Sequence, residues 1–177
     1  PTGGLFDMIS QDDEENPLID EDARILVVDP GFFSLDWVLI SNGQLQRGSS
    51  GTSHQASSVL LEQAGILIAE EYGSKPTVET FEKAIRAGKK SLLVMGQRVD
   101  IEPYLKRASD LLSANTATSI LTSLRVEKMS PDIVVLVGGG ADFFRGAVQT
   151  AFPKLKVISP QNPVLSIARG YWELGAA

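Results

Sequence analysis

Arg24 to Asp36, RILVVDPGFFSLD, constrains this chain more than any other stretch. Ile25 to Asp29 form a short, mostly apolar run of the kind a buried strand requires. The run ends in Asp29-Pro30-Gly31, and a second apolar run, Leu35 to Ile40, follows at once. Two such runs about a tight Gly-containing bend predict a β-hairpin. An acid at a strand end, beside a turn with outward N–H groups, suits a metal-bound phosphate. The amides hold phosphate oxygens, and the carboxylate holds Mg²⁺ directly or through its waters. The same residues also suit an ordinary hairpin in which Asp29 accepts turn hydrogen bonds.

The 177 residues are enough for one domain or two small lobes with a real core. Apolar residues make up 43% and charged residues 21%, an ordinary globular balance. There is no cysteine, hence no disulfide, thiolate nucleophile or Cys-based zinc site. His54 is the only histidine, which excludes a His-cluster metal site and leaves little room for a Ser-His-Asp triad. No apolar run approaches the ~18 residues of a membrane span, and the start lacks a basic-then-apolar leader. The expected setting is cytoplasmic, with no membrane contact. A formal net charge of −6 argues against direct nucleic-acid binding, so any link to DNA is expected through an adaptor protein.

Pro1 to Phe6 reads as the continuation of a longer chain, and Gln11 to Asp22, with seven acids, as a solvated loop. After the hairpin, Ser41-Asn42-Gly43 marks a turn and Gln44 to Arg47 a third strand. Gly48 to Ser53 is expected to be a flexible polar loop supplying helix N-caps. The helix that follows is expected over Ser53 to Tyr72, ending near Gly73. Thr77 should cap a second helix, Val78 to Arg86, that stops at Gly88. Ser91 to Met95 and Arg98 to Ile101 suggest another hairpin, and Pro103 opens a helix to about Lys128. Leu105, Ala108, Leu112, Ile120, Leu121 and Leu124 give that helix its buried stripe. Ile133 to Val137 lacks any polar break and so predicts a central parallel strand. It leads into Gly138-Gly139-Gly140 and a helix from Ala141 to Phe152. A short strand at Val157-Ile158 and a closing helix from Pro163 to Leu174 complete an α/β pattern.

The glycine triplet is a second place where backbone can approach a ligand, since no Cβ intervenes at a helix N-terminus. It has neither GxGxxG spacing nor Gly-Lys-Ser/Thr, so it is not a Rossmann or Walker loop.

Together the motifs resemble the nucleotide cleft of the actin, sugar-kinase and heat-shock-chaperone superfamily. Asp29 to Asp36, DPGFFSLD, is similar to its second phosphate motif; Val135 to Asp142, VLVGGGAD, is similar to its adenosine motif. Asn162 to Trp172 resembles the closing helix of plasmid-segregation actins, nearest the ParM/StbA type and its protein D-like relatives in PRTRC systems. The resemblance implies the second, C-terminal lobe of an actin-like ATPase with a ribonuclease H-like core, a mixed sheet with helices on both faces. The lobe would comprise residues 24–75 and 102–177, with 1–23 as a leading segment and 76–101 as a small inserted subdomain.

For the site, the resemblance implies ATP or ADP with Mg²⁺. Asp29 would be the catalytic residue and metal ligand, with Gly31, Phe32, Phe33 and Ser34 at the β- and γ-phosphates. Gly138, Gly139, Gly140 and Ala141 would pass the adenine and α-phosphate, and Glu82 and Lys83 would meet ribose and adenine. Glu82 and Lys83 also read as a solvated charge pair. Phe32 and Phe33 depart from the small residues usual in such a phosphate turn. A preceding lobe, with the first phosphate hairpin and a water-positioning acid or Gln, is implied, so this chain alone is expected to turn over no ATP. The intact protein would polymerise into filaments and hydrolyse ATP in plasmid segregation. Alternatives are half of a small-molecule kinase or ATP-dependent activator of the same superfamily, and a non-catalytic scaffold.

Overall fold

The computed structural model describes residues 1–10, 20 and 22–176. Most of the acidic stretch Gln11 to Asp22 therefore lies outside the described residues. The order is α1 (Thr2–Ser10), β1 (Ile25–Pro30), β2 (Leu35–Ser41), β3 (Gln44–Ser53), α2 (Ser57–Tyr72), α3 (Val78–Arg86), β4 (Ser91–Val94), β5 (Gln97–Asp100), α4 (Glu102–Val126), β6 (Ile133–Leu136), α5 (Ala141–Ala151), β7 (Lys156–Ile158) and α6 (Pro163–Ala176). Five strands form a mixed sheet in the order β3-β2-β1-β6-β7, and β4 and β5 pair separately.

The sheet is covered on both faces, which is why Ile25 to Val28 of β1 and all of β6 are apolar. Leu26, Val28, Leu35, Trp37, Leu39, Val134 and Leu136 share one cluster with residues of α2, α3, α4 and α5. Ile25, Val27, Ile133, Val135 and Val137 point the other way and meet Leu5 of α1 and Ile167 of α6. β1 pairs antiparallel with β2 and parallel with β6, and β7 runs parallel beyond β6. Phe81 of α3, Leu92 of β4 and Val99 of β5 belong to the larger cluster. Among the described residues, no helix is long and apolar enough to cross a membrane.

Two local expectations are corrected. Gly48 to Ser53 is not a loop: β3 continues to Ser53 along the sheet edge. Small residues permit that path, because a Cβ at Gly51 would stand 2.6 Å from the Trp37 ring. Consequently α2 starts at Ser57 rather than Ser53, without a side-chain cap. Its first N–H groups donate instead to backbone carbonyls, Ser57 to Gly31 at 3.1 Å and Ser58 to Phe32 at 3.0 Å.

Thr2 to Ser10, to which the sequence assigned no element, is helical despite Gly3 and Gly4. The reason is tertiary: α1 lies against α6, where a Cβ at Gly170 would come within 1.7 Å of the Gly3 carbonyl oxygen. Buried Asp7 accepts from Arg169 Nε at 2.7 Å and Nη2 at 2.6 Å, fixing the pair. Close helix approach outweighs the roughly 1 kcal/mol that each glycine costs a helix.

Candidate functional site

Parallel pairing brings the C-terminal ends of β1 and β6 side by side, the edge at which open α/β sheets bind ligands. The Val137 N–H donates to the Val28 carbonyl at 2.9 Å, and the Gly140 N–H to the Pro30 carbonyl at 2.9 Å. Asp29-Pro30-Gly31 and the glycine triplet are thus held together. Gly138 has φ +80°, and a Cβ there would lie 2.0 Å from Asp29 Oδ1. Only glycine allows that approach. Its N–H donates to the Pro163 carbonyl at 2.9 Å, which ties the start of α6 to the same point. Gly139 is open, with nothing within 4 Å of the place a Cβ would take, whereas Gly140 faces Ser57.

The turn after β1 is closed by its own backbone. The Gly31 N–H donates to the Ser34 carbonyl at 2.8 Å, so that amide is already spent. The N–H groups of Phe32, Phe33 and Ser34 donate to no described residue, leaving them for an anion. Phe32 packs against the core and meets Phe33 edge to face at 4.8 Å, while Phe33 stands exposed. The rings therefore clear the backbone of the turn.

Asp29 is largely buried, its side chain 16% exposed. Among the described residues no donor hydrogen-bonds its carboxylate, which removes the turn-bracing role. Burial pushes this carboxyl above its ordinary range, and Asp36 adds to the rise. Asp36 stands opposite Asp29 across the strand pair and accepts from Ser34 Oγ at 2.6 Å. Two like charges at such a position disfavour each other unless a cation intervenes. Mg²⁺ fits this donor set, since it keeps most of its waters and takes one or two carboxylates plus phosphate oxygens. A cage made of protein alone does not fit, because no cluster of three metal-ligating side chains occurs among the described residues.

Beside the two strand ends opens a cleft of about 710 Å³. Gly31, Phe32 and Phe33 line it with Ser57, Leu61, Glu82, Ile85, Arg86, Gly139, Gly140, Phe143 and Val164. Glu82 is there; Lys83 is not. Lys83 faces solvent and pairs with Glu79 at 2.8 Å, one helical turn back. The cation in the cleft is Arg86, paired with Glu82. Helical spacing carries the reason, since i+4 shares a face with residue i and i+1 does not. Asp29, Ser34, Gly138 and Ala141 lie outside the cleft lining; Ala141 is buried at the start of α5. Arg86 could have been found from that spacing. Ser57, Leu61, Ile85, Phe143 and Val164 carried no motif.

A mixed sheet with this hairpin, glycine triplet and cleft defines an actin-like α/β lobe. Residues 27–150 match the family described as archaeal actin homologue MreB-like, C-terminal, and the chain belongs to that family. No curated protein matches the sequence. Among solved structures it is similar to a pCBH ParM non-polymerisable quadruple mutant, with TM-score 0.74 and 19% identity, over 99% of this chain and 52% of that one. A 15-stranded ParM filament from Clostridium botulinum gives TM-score 0.74 and 20% identity, over 98% and 51%. The archaeal actin homolog Ta0583 in complex with ADP gives 0.73 and 18%, over 98% and 55%. At such identities the likeness is one of fold. The chain spans about half the length of these structures.

Proposed function

We propose that this chain is the nucleotide-binding lobe of a filament-forming actin-like ATPase acting in plasmid segregation. The observation that carries the reading is the convergence of two glycine-bearing strand ends, Asp29 to Gly31 and Gly138 to Gly140, beside an apolar cleft. ATP or ADP would lie with its base against Gly139, Gly140 and Phe143 and its ribose near Glu82 and Arg86. The free amides of Phe32, Phe33 and Ser34 would hold phosphate oxygens, and Gly31 would serve by giving backbone clearance rather than a hydrogen bond. Mg²⁺ would be held by Asp29, with Asp36 beside it; when bound, the metal neutralises charge developing on the transferred phosphoryl oxygens.

The folds of ParM and of Ta0583 support self-association and nucleotide use, because the matched solved structures include a ParM filament and an ADP complex. A DNA-binding adaptor would connect such filaments to a plasmid in the cytoplasm, consistent with a net charge of −6. Residues 76–101 would act as a small inserted subdomain closing one side of the cleft.

The test uses the full-length protein with MgATP. Light scattering should rise on ATP addition and fall as phosphate is released. In parallel, nucleotide titration followed by NMR should shift Asp29 to Ser34 and Gly138 to Ala141. A phosphorylated small-molecule product without polymer would replace the filament reading with a kinase; shifts confined to other surfaces would remove the site.

A further inference from the structure

The turns of the two hairpins share a backbone and differ in one residue. Each has two successive positive φ values, Asn42 at +51° with Gly43 at +66°, and Met95 at +48° with Gly96 at +79°. Such turns favour Asn-Gly, because Asn tolerates the left-handed region and most other side chains do not. The β4–β5 turn instead holds a methionine there, 72% exposed, near Leu93 at 74%. Leu92, Val94 and Val99 already supply the inner face of this hairpin, so Leu93 and Met95 add nothing to the core. Two large apolar side chains at an exposed tip, one held at a conformational cost, point to a contact with another molecule. The flanks of the tip are basic. Leu93 stands opposite Arg98, and Lys89 and Lys90 lead into β4. Lys75, Lys83 and Arg86 nearby are paired, but these three cations have no acid partner among the described residues.

A groove of matching character lies at the other end of the sheet. Leu5, Phe6 and Ile9 of α1 with Ile25 and Ile40 line a cavity of about 530 Å³, and the exposed Asp20 and Asp22 complete it. Neither acid has an ion-pair partner among the described residues, since the neighbouring Arg24 is spent on Asp132 at 2.8 Å. Ile25 opens β1 and Asp29 stands near its end, so the groove and the cleft are at opposite ends of the sheet. The inserted subdomain is on the cleft side, where its Glu82 and Arg86 form part of the lining. The tip therefore cannot enter the groove of its own chain. A second copy offers that groove, and the match in both apolar character and charge favours this occupant. We propose that Leu93 and Met95 of one copy seat in the groove of the next, with Lys89, Lys90 and Arg98 facing Asp20 and Asp22. Tip and groove are different surfaces, so each added copy leaves one of each free and the assembly stays open-ended. This inference names a contact for the self-association proposed above and rests on that reading.

Pelleting of the full-length protein with MgATP measures the critical concentration for assembly. Met95→Asn gives the turn the residue it prefers, so it should melt at the wild-type temperature or higher. Its critical concentration should nevertheless rise about 10-fold, the loss of one buried anchor. Leu93→Ser should act in the same direction. Charge reversal tests the seat. Lys89→Glu with Lys90→Glu, and Asp20→Lys with Asp22→Lys, should each assemble poorly alone and co-assemble when mixed, because each reversed surface then meets its complement. Wild-type assembly by Met95→Asn and Leu93→Ser overturns the tip and leaves the filament reading standing. Charge-reversed proteins that assemble normally alone, or a mixture no better than its components, overturn the groove as the seat. No assembly of the wild type removes the filament reading, and this inference with it.

Discussion

Gly138→Ala tests the meeting of the two strand ends most directly. Two costs follow from the geometry. At φ +80° an alanine enters the left-handed region, which costs roughly 1–2 kcal/mol. Its Cβ would also lie 2.0 Å from Asp29 Oδ1, where contacts under 3.0 Å force something to move. Asp29 is largely buried, so relieving the overlap should cost about 1–3 kcal/mol, as overpacking does. The sum is about 2–5 kcal/mol. At about 2–4 °C per kcal/mol for a chain of this size, the melting temperature should fall by roughly 4–20 °C. Denaturant unfolding followed by circular dichroism measures the loss directly. The decisive variant is the double one, Asp29→Ala with Gly138→Ala. Removing the carboxylate should recover the overlap cost and leave the backbone cost, a coupling of at least about 1 kcal/mol. An additive double mutant, or a Gly138→Ala protein as stable as the wild type, would refute the placement of Asp29 against the glycine triplet.

Two other outcomes are expected. Burial raises the folded-state pKa of Asp29 above its unfolded value, so the contribution of this group to stability is present below the unfolded pKa and lost as pH rises through the folded one. Asn avoids the buried charge, so Asp29→Asn should melt higher than the wild type at pH 7, with the gain vanishing below about pH 4; a loss at pH 7 would contradict that sign. Arg169→Met removes the guanidinium that donates to the buried Asp7 carboxylate and should lower the melting temperature, with α1 amides losing hydrogen-exchange protection first; equal protection would show that the ion pair does not hold α1.

Much of this fold was legible because its central strands are buried on both faces. Ile25 to Val28 and Ile133 to Leu136 are apolar without interruption, and their shortness, β-branched residues and flanking turn residues favour a buried strand over a helix. The caps were legible for the same local reason: Thr77 accepts from the Thr80 N–H at 3.2 Å, and Gly73 closes α2 at φ +75°. What stayed hidden depends on contacts distant in sequence. Gly48 to Ser53 has a loop composition, and only the ring of Trp37 and the helix behind it give those small residues a reason to extend. The helix at Thr2 to Ser10 exists because α6, more than 150 residues later, offers Gly170 and Arg169. Ser57 sits in a serine-rich run, and no local pattern separates it from its neighbours.

The charges around the proposed nucleotide site explain why glycine and aspartate, rather than lysine, point to it in the sequence. Lys83 is spent on Glu79 in solvent and Arg86 on Glu82 at the cleft wall, so neither arrives as an unpaired cation for a phosphate. A nucleotide carrying several negative charges would still need them balanced. The means on hand are the unused amides of Phe32 to Ser34 and a divalent ion at Asp29 and Asp36. Such an arrangement leaves no basic motif in the sequence. It does demand an acid at a strand end, a turn whose side chains clear its amides, and a glycine where the carboxylate passes within reach of the next strand. Asp29, the outward-turned Phe33 and Gly138 meet those three demands, so under the proposed function Gly138→Ala should weaken MgADP binding in a calorimetric titration before it disturbs the apolar wall formed by Leu61, Ile85 and Phe143.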